Sequence, residues 1–311
     1  MRVLVTGGAG FIGHHLVRAL SERGDDVVVL DDLSTGRADR LAAMDGRVEI
    51  VTGSILDAAA LDRVVHGCHV ILHQAALPSV ARSVADPVRS NAVNVEGTIL
   101  LMLAAARHRV QRVVYAASSS VYGRGGELPR RETQRPDPAS PYATGKLAAE
   151  GYLHTIGELH GIETVALRYF NVFGPGQDPE SEYAAVVPRF VTAALGGNDP
   201  VIFGDGTTSR DFTYIDNVVD ANVRAIEAPS VAGLTCNIGT GERHTLLDLA
   251  TAIGAAVGRT LQPSFDVPRP GDVPHSQADI SLARDRLGYD PATGFAEGIA
   301  RTVAWYAARQ T

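Results

Sequence analysis

From the first residue to about residue 170, short apolar runs rich in β-branched residues alternate with stretches of helical periodicity, and this alternation restricts the fold most. The runs are RVLVT, DVVVL, RVEIV, HVILH, RVVYAAS and ETVALRYF. Most are too continuously apolar for a strand with one wet face, so they read as strands buried on both faces. Between them, Phe11 to Arg23, Ala58 to His66, Val88 to Arg109 and Tyr142 to His160 carry apolar residues at helical spacing. That spacing suits helices covering a sheet. The expected architecture is α/β, a doubly wound parallel sheet.

Beyond residue 170 the rhythm breaks. Loops rich in Gly and Pro, such as FGPGQDP and VPRPGDVP, separate short strands from helices expected near 186–196, 216–228, 245–257 and 295–309. Residues 1–170 read as the sheet domain and 171–311 as a smaller α/β substrate-binding part. TYIDNVVDANVRAI reads as a segment returning to the first half, near 205–230, so no clean linker is expected.

The 311 residues are 45% apolar and 20% charged, the balance of a globular chain. No apolar run reaches the length of a membrane span, and MRVLVTG opens on a strand without a signal-peptide core, so a cytoplasmic protein with no membrane partner is expected. A net charge of −7 without a basic run gives no nucleic-acid surface. Cys68 and Cys236 read as reduced core thiols. His66, His69 and His73 lie close together, but strand alternation and the lack of a ligand set favour buried or turn histidines, and no metal is expected.

Val3-Leu-Val-Thr-Gly7-Gly8-Ala-Gly10-Phe11-Ile12-Gly13 is a strand, a glycine turn and a helix start. Glycine there lets the backbone approach a pyrophosphate that the helix N-terminus receives. About twenty residues further on, Asp31 and Asp32 end the second strand, where a carboxylate accepts from the adenosine ribose hydroxyls and repels a 2′-phosphate. The sheet is therefore expected to be Rossmann-type and the cofactor NAD. The competing account is a plain glycine turn followed by an acidic loop. Arg37 could favour a 2′-phosphate, but a solvated loop arginine fits better.

Ser118-Ser119-Ser120 ends the fifth run, and Tyr142-Ala-Thr-Gly-Lys146 opens the next helix. At i and i+4 the phenol and the ammonium share a face. A nearby cation favours a phenolate, so Tyr142 is the candidate general base, with Lys146 beside it and Ser118 to share the substrate hydroxyl. A lone Tyr-x-x-x-Lys pair can be an ordinary surface pair and a serine run can be a strand-end cap. The order of all three signals on the right elements is what carries the reading.

These segments, with DDLSTG, HQAA, LRYFNVFGPGQDP, GDGTTSRDFTYIDNVVDA and RPGDVPHSQADI, resemble the extended short-chain dehydrogenase/reductase family of NAD-dependent epimerases and dehydratases over essentially the whole length. The likeness is to its UDP-glucose and UDP-N-acetylglucosamine 4-epimerase branch. It implies that Ser54, Ile55, Ala75, Ala76, Asn94 and Tyr169 border the cofactor. It further implies substrate contacts at Ser120, Asn171, Val186, Arg210, Arg269, Asp272 and Ser276, the arginines on phosphate, Asp272 near the ribose and Ser276 beside the sugar C2 substituent. It also implies a UDP-sugar substrate, and a homodimer through the helices Val88 to Arg109 and Tyr142 to His160. Ser54 replaces a usual aspartate, Pro78 a lysine of some epimerases, and Gly145 weakens its helix by about 1 kcal/mol relative to alanine. Dehydratases of the family place an Asp-Glu pair where Ser119 and Ser120 stand, which favours simple oxidation and re-reduction at C4. The substrate stays open among UDP-glucose, UDP-N-acetylglucosamine and UDP-glucuronic acid, with Arg189 the first candidate to hold a glucuronate carboxylate. A non-catalytic NAD-binding regulator is the alternative of another class.

Overall fold

The computed structural model describes residues 1–42, 44, 48–179, 185–268 and 273–309. Six strands, β1 (Arg2–Thr6), β2 (Asp26–Asp31), β3 (Val48–Thr52), β4 (Val70–His73), β5 (Arg112–Ser118) and β6 (Glu163–Tyr169), fall on the apolar runs of the sequence. The helices of the same region are α1 (Phe11–Arg23), α2 (Ala58–Val65), α3 (Val80–Ala85), α4 (Pro87–Asn91), α5 (Gly97–Arg107) and α6 (Pro141–His160). A further strand, Leu234–Ile238, pairs with β6 to complete a parallel sheet ordered Leu234–Ile238, β6, β5, β4, β1, β2, β3. The chain passes from β3 at one edge back to β4 beside β1. Strand order therefore reverses between β1 and β4, and the crevice outside their carboxyl ends is where such sheets take ligands.

The pleat sorts strand residues onto two faces. Val3, Val5, Val27, Val29, Val114 and Val165 join one core with α1 and the helix Ile215–Glu227. Leu4, Val28, Leu30, Ile71, Tyr115 and Ala166 join the other with α2, α5 and α6. Burial on both faces is why these strands are apolar without alternation. At the edge, β3 leaves Ile50 49% exposed.

Two expectations are revised. Val88 to Arg109 is not a regular α-helix throughout: α4 runs at Asn91 into a wider π-helical turn, Ala92–Glu96, that continues directly into α5. Within that turn Asn94 grips the Leu77 backbone, accepting from its N–H at 2.9 Å and donating to its carbonyl at 3.2 Å, a bond pair that accompanies the local widening. The stretch returning to the sheet reaches Ile238, past the expected 205–230, because the helix Ile215–Glu227 leads into the strand Leu234–Ile238. Helices at Val186–Leu195, Leu246–Val257 and Phe295–Ala307 lie close to their expected places, whereas α3 and Ser281–Leu287 were too short to be read from periodicity. Cys68 and Cys236 are both buried and unbridged. Among the described residues no helix is long and apolar enough to cross a membrane.

Arg112 fastens the returning helix to the sheet. Its Nη1 donates to the carbonyls of Ala225 at 2.8 Å and Ile226 at 2.6 Å, the last turn of that helix, and its Nε donates to Glu163 at 2.9 Å. Arg112→Met leaves those carbonyls buried without a donor and should cost about 2–4 kcal/mol, read as a lowered urea midpoint with an unchanged m-value.

Candidate active site

The turn after β1 is built by close backbone approach. Gly7 has φ 70°, and a Cβ on it would stand 2.7 Å from the Ala75 nitrogen beyond β4. A Cβ on Gly13 would stand 2.1 Å from the Gly7 carbonyl oxygen, so only glycine lets the first turn of α1 close over the loop. Asp31 Oδ2 accepts from Ala9 N–H at 2.9 Å and Oδ1 from Leu33 N–H at 2.8 Å. Each oxygen keeps acceptor capacity toward the crevice. Burial raises the Asp31 pKa, against the two backbone amides that lower it. Arg37 is paired with Asp39 at 2.7 Å, which directs it to that carboxylate rather than to a 2′-phosphate.

A cavity of about 240 Å³ lies outside β1 and β4. One end is walled by Gly7, Gly10, Phe11, Ile12 and Gly13, with Asp31 and Asp32 beside them. Ile55, Ala75 and Ala76 line its length, and Tyr142, Lys146 and Tyr169 close the other end. Ser54 and Asn94 are not among the residues that line this cavity. Ser54 Oγ accepts from Leu56 N–H at 3.2 Å, and Asn94 holds the Leu77 backbone that forms the lining. An elongated cradle with glycines at the helix start and an acidic pair at the next strand end fits a dinucleotide of the NAD type.

The reacting end combines β5 and α6. Ser118 Oγ accepts from Ser120 N–H at 3.2 Å and pairs with Ser120 Oγ at 2.9 Å, which ties the serine turn Ser119–Tyr122 to the strand end. Ser140 caps α6, with Pro141 in its first turn, so Tyr142 and Lys146 project together. Lys146 Nζ donates to the Ala116 carbonyl at 2.8 Å and lies 4.7 Å over the Tyr115 ring. Burial pushes Lys146 down to about 7. Burial raises Tyr142, and the nearby Ser118 hydroxyl offsets part of that rise. The expected lowering by the Lys146 ammonium does not prevail in the chain itself, where burial holds the Tyr142 phenol above its ordinary pKa.

His73 is a satisfied core residue, its ring nitrogens 2.7 Å from Thr6 Oγ1 and 3.0 Å from Thr98 Oγ1. Among the described residues no cluster of three or more metal-ligating side chains occurs.

A second cavity of about 220 Å³ is lined by Asn171, Val186, Arg189, Phe203 and Arg210. Ser276 Oγ donates to Asn171 Oδ1 at 3.2 Å, and Ser276 N–H donates to the Ser209 carbonyl at 3.0 Å. Asp211, fully buried, anchors this region by accepting from Thr240 N–H and Oγ1 at 2.8 Å, Gly241 N–H at 3.0 Å and Ala278 N–H at 3.1 Å. Arg269 and Asp272 lie outside the described residues.

Residues 3–239 match the model of the NAD dependent epimerase/dehydratase family. The chain belongs to this family. It is 44% identical over 310 residues to a UDP-glucose 4-epimerase of Mycolicibacterium smegmatis, covering 98% of each chain. A UDP-N-acetylglucosamine 4-epimerase of Methanobrevibacter ruminantium, solved with UDP-N-acetylmuramic acid, superimposes with TM-score 0.95 at 37% identity, covering 99% of this chain and 98% of that one. A UDP-glucuronic acid 4-epimerase of Bacillus cereus, solved with UDP-glucuronic acid and NAD, superimposes with TM-score 0.92 at 30% identity over the full length of both.

This epimerase/dehydratase family member is an enzyme that uses NAD, and its cofactor crevice holds residues that sequence reasoning did not assign. Ser34 and Thr35 line it from the loop after Asp32, a run quoted in the sequence but given no role. Gln74, within the quoted HQAA run, lines it too, as do Leu77 and Val93, which tertiary packing brings there. Phe203 was also missed, and its ring lies 5.6 Å beneath the Arg189 guanidinium in the second cavity.

Tyr142→Phe keeps the ring but deletes the oxygen, so turnover should fall by about 10²–10⁴-fold with NAD content unchanged, measured as NAD released per chain on denaturation. More than a tenth of wild-type turnover excludes Tyr142 as the base. Lys146 carries a linkage signature as well. With its pKa lowered from 10.5 to about 7, the folded state binds fewer protons than the unfolded one between those values, so stability rises with pH across that window. Urea unfolding of Lys146→Met should lack this rise, which contributes at most about 1.4 kcal/mol per pH unit in the wild type.

Proposed function

We propose that this enzyme is a UDP-sugar 4-epimerase that transiently oxidises C4 and keeps NAD bound through the cycle. The observation that carries the reading is the meeting of Tyr142 and Lys146 with the glycine cradle in one cavity, beside a strand end where 119 and 120 are serines and not carboxylates. Bound NAD supplies the acceptor that takes the C4 hydrogen with its electron pair and later returns it. Tyr142 takes the proton of the C4 hydroxyl, and Ser118, near that phenol, orients the same hydroxyl. Lys146, held on Ala116, offsets negative charge on the phenol oxygen. Inversion requires the ketone to present its other face while the diphosphate stays held. Arg210 and Asn171 suit that division, since they line a cavity that shares no lining residue with the cofactor crevice. Tyr142 then returns the proton, so the overall reaction is redox-neutral.

On this reading, residues 1–170 with the returning stretch to Ile238 hold NAD, and the rest of 171–311 holds the nucleotide sugar. Val84, Val88, Tyr152 and Leu159, 63%, 79%, 48% and 75% exposed on α3, α4 and α6, supply an apolar face for a homodimer.

Substrate choice rests on Ser276. Its bond to Asn171 sets it at the edge of the second cavity, and a serine leaves room for an N-acetyl group. UDP-glucose/UDP-galactose and the N-acetylated pair are therefore the favoured substrates. A glucuronate carboxylate sits on C5, one carbon from the reacting C4, whereas Arg189 lines the cavity of Arg210 and stacks on Phe203. That position suits a nucleotide and does not favour the carboxylate role.

Incubation with UDP-glucose, UDP-N-acetylglucosamine and UDP-glucuronic acid in turn, without added NAD, followed by separation of C4 epimers, tests the reading. Conversion of the first two is expected, and no conversion of any sinks it. Ser276→Tyr should lower kcat/KM for the N-acetylated sugar at least about tenfold more than for UDP-glucose, by steric exclusion. An equal fall for both sugars removes the gate.

A further inference from the structure

Tyr142, Lys146 and Glu150 are spaced four residues apart along α6, and each turn of that face has its own fastening. The Tyr142 N–H donates to Ser83 Oγ at 3.0 Å, Lys146 to the Ala116 carbonyl at 2.8 Å, and Glu150 is held by Arg168. The last is a side-on fork, with Arg168 Nη2 donating to Glu150 Oε1 at 2.6 Å and Nε to Oε2 at 3.0 Å. Both side chains are buried, 5% and 8% exposed.

The other arm of the same guanidinium reaches the serine turn. Arg168 Nη1 donates to Tyr122 Oη at 2.9 Å, and Tyr122 Oη donates to Asn237 Oδ1 at 2.6 Å. Arg168 also lies 5.0 Å over the Tyr122 ring. In the sheet Arg168 is opposite Ala117 and its neighbour Tyr169 is opposite Ser118. One rigid, planar donor set therefore holds the helix that carries Tyr142 and the turn that begins at Ser118.

We infer that the Glu150–Arg168 pair, joined to Tyr122, is a positioning clamp that sets the register between Ser118 and Tyr142 for proton transfer. This rests on the catalytic reading above. A buried ion pair need not add stability, since apolar residues of similar volume often replace one without loss, so its retention beside the reacting groups calls for another benefit. Proton transfer supplies it, because a displacement of about 1 Å at a reacting pair can cost 10²-fold in rate. None of the three side chains lines the crevice, so they act through Ser118 and Tyr142 and not on the substrate.

The test separates rate from stability. The double variant Glu150→Met/Arg168→Met and the single variant Tyr122→Phe are compared with wild type for kcat, KM and Tm, using whichever UDP-sugar the wild type turns over fastest. The expected result is a kcat lower by about 10–100-fold in the double variant and at least about fivefold in Tyr122→Phe, with KM within about threefold. Tm should stay within about 5 °C in the double variant. A kcat above a fifth of wild type in Tyr122→Phe overturns the clamp, as does a loss confined to Tm. If the double variant does not fold, Tyr122→Phe, which conserves volume, decides alone. Tyr142→Phe run alongside keeps the two ideas apart. Turnover surviving there overturns the catalytic reading, whereas loss there with full turnover in the clamp variants overturns the clamp only.

Discussion

The close passage of the Gly7 turn against the backbone at Ala75 is the contact on which the rest of the molecule depends. It exists because β1 and β4 are neighbours although two strands separate them in sequence, and it places the start of α1 at the point where the sheet reverses. A side chain on Gly7 or Gly13 would force the two strand ends apart or lift the helix from the loop. With the contact closed, one end of the crevice presents helix N-terminal amides and the other presents the carboxyl ends of β5 and β6. A dinucleotide cradle and a proton-handling group then share a single cavity.

The polar chemistry within that cavity is held by backbone more than by charge pairing. Asp31 takes two amides, Asn94 grips Leu77, and Lys146 is fixed to Ala116. Bonds of this kind satisfy groups that burial would otherwise penalise, and they leave each side chain little freedom. Arg168 is the exception, a fully charged fork in the interior. Burial opposes its charge, and Glu150 and Tyr122 overcome that cost, holding its pKa above the ordinary value. The buried carboxylate of Asp211 plays a matching part near the second cavity, collecting backbone donors from Thr240, Gly241 and Ala278.

Sequence reading succeeded where one local cause produces one element. Five of the six strands, all but the edge strand β3, were legible because burial on both faces leaves little but β-branched and other apolar residues. Tyr142 and Lys146 were legible because helical spacing alone aligns them. The strand Leu234–Ile238 was harder to place. Its five residues alternate apolar and polar as a strand does, but only pairing with β6 makes them part of the sheet. The π-helical turn within Val88 to Arg109 was likewise hidden, since its sequence is apolar at helical spacing and the widening involves Asn94 reaching a loop seventeen residues away. Ser54 and Asn94 were read as bordering the cofactor, and their side chains bond the backbone of Leu56 and Leu77.

By itself the sequence determined what depends on neighbours along the chain: the alternation of strands and helices, the glycine turn, the acidic strand end, and the face shared by Tyr142 and Lys146. Only the tertiary structure decided what depends on groups distant in sequence. Lys146 meets a carbonyl thirty residues away, which fixes its ammonium near the carboxyl end of β5. Ser276 reaches Asn171, and Arg168 joins α6 to the serine turn. The physical reason is that periodicity records which side of an element a residue occupies, whereas hydrogen-bond partners and pKa values follow from burial and from the groups that packing brings within about 3 Å.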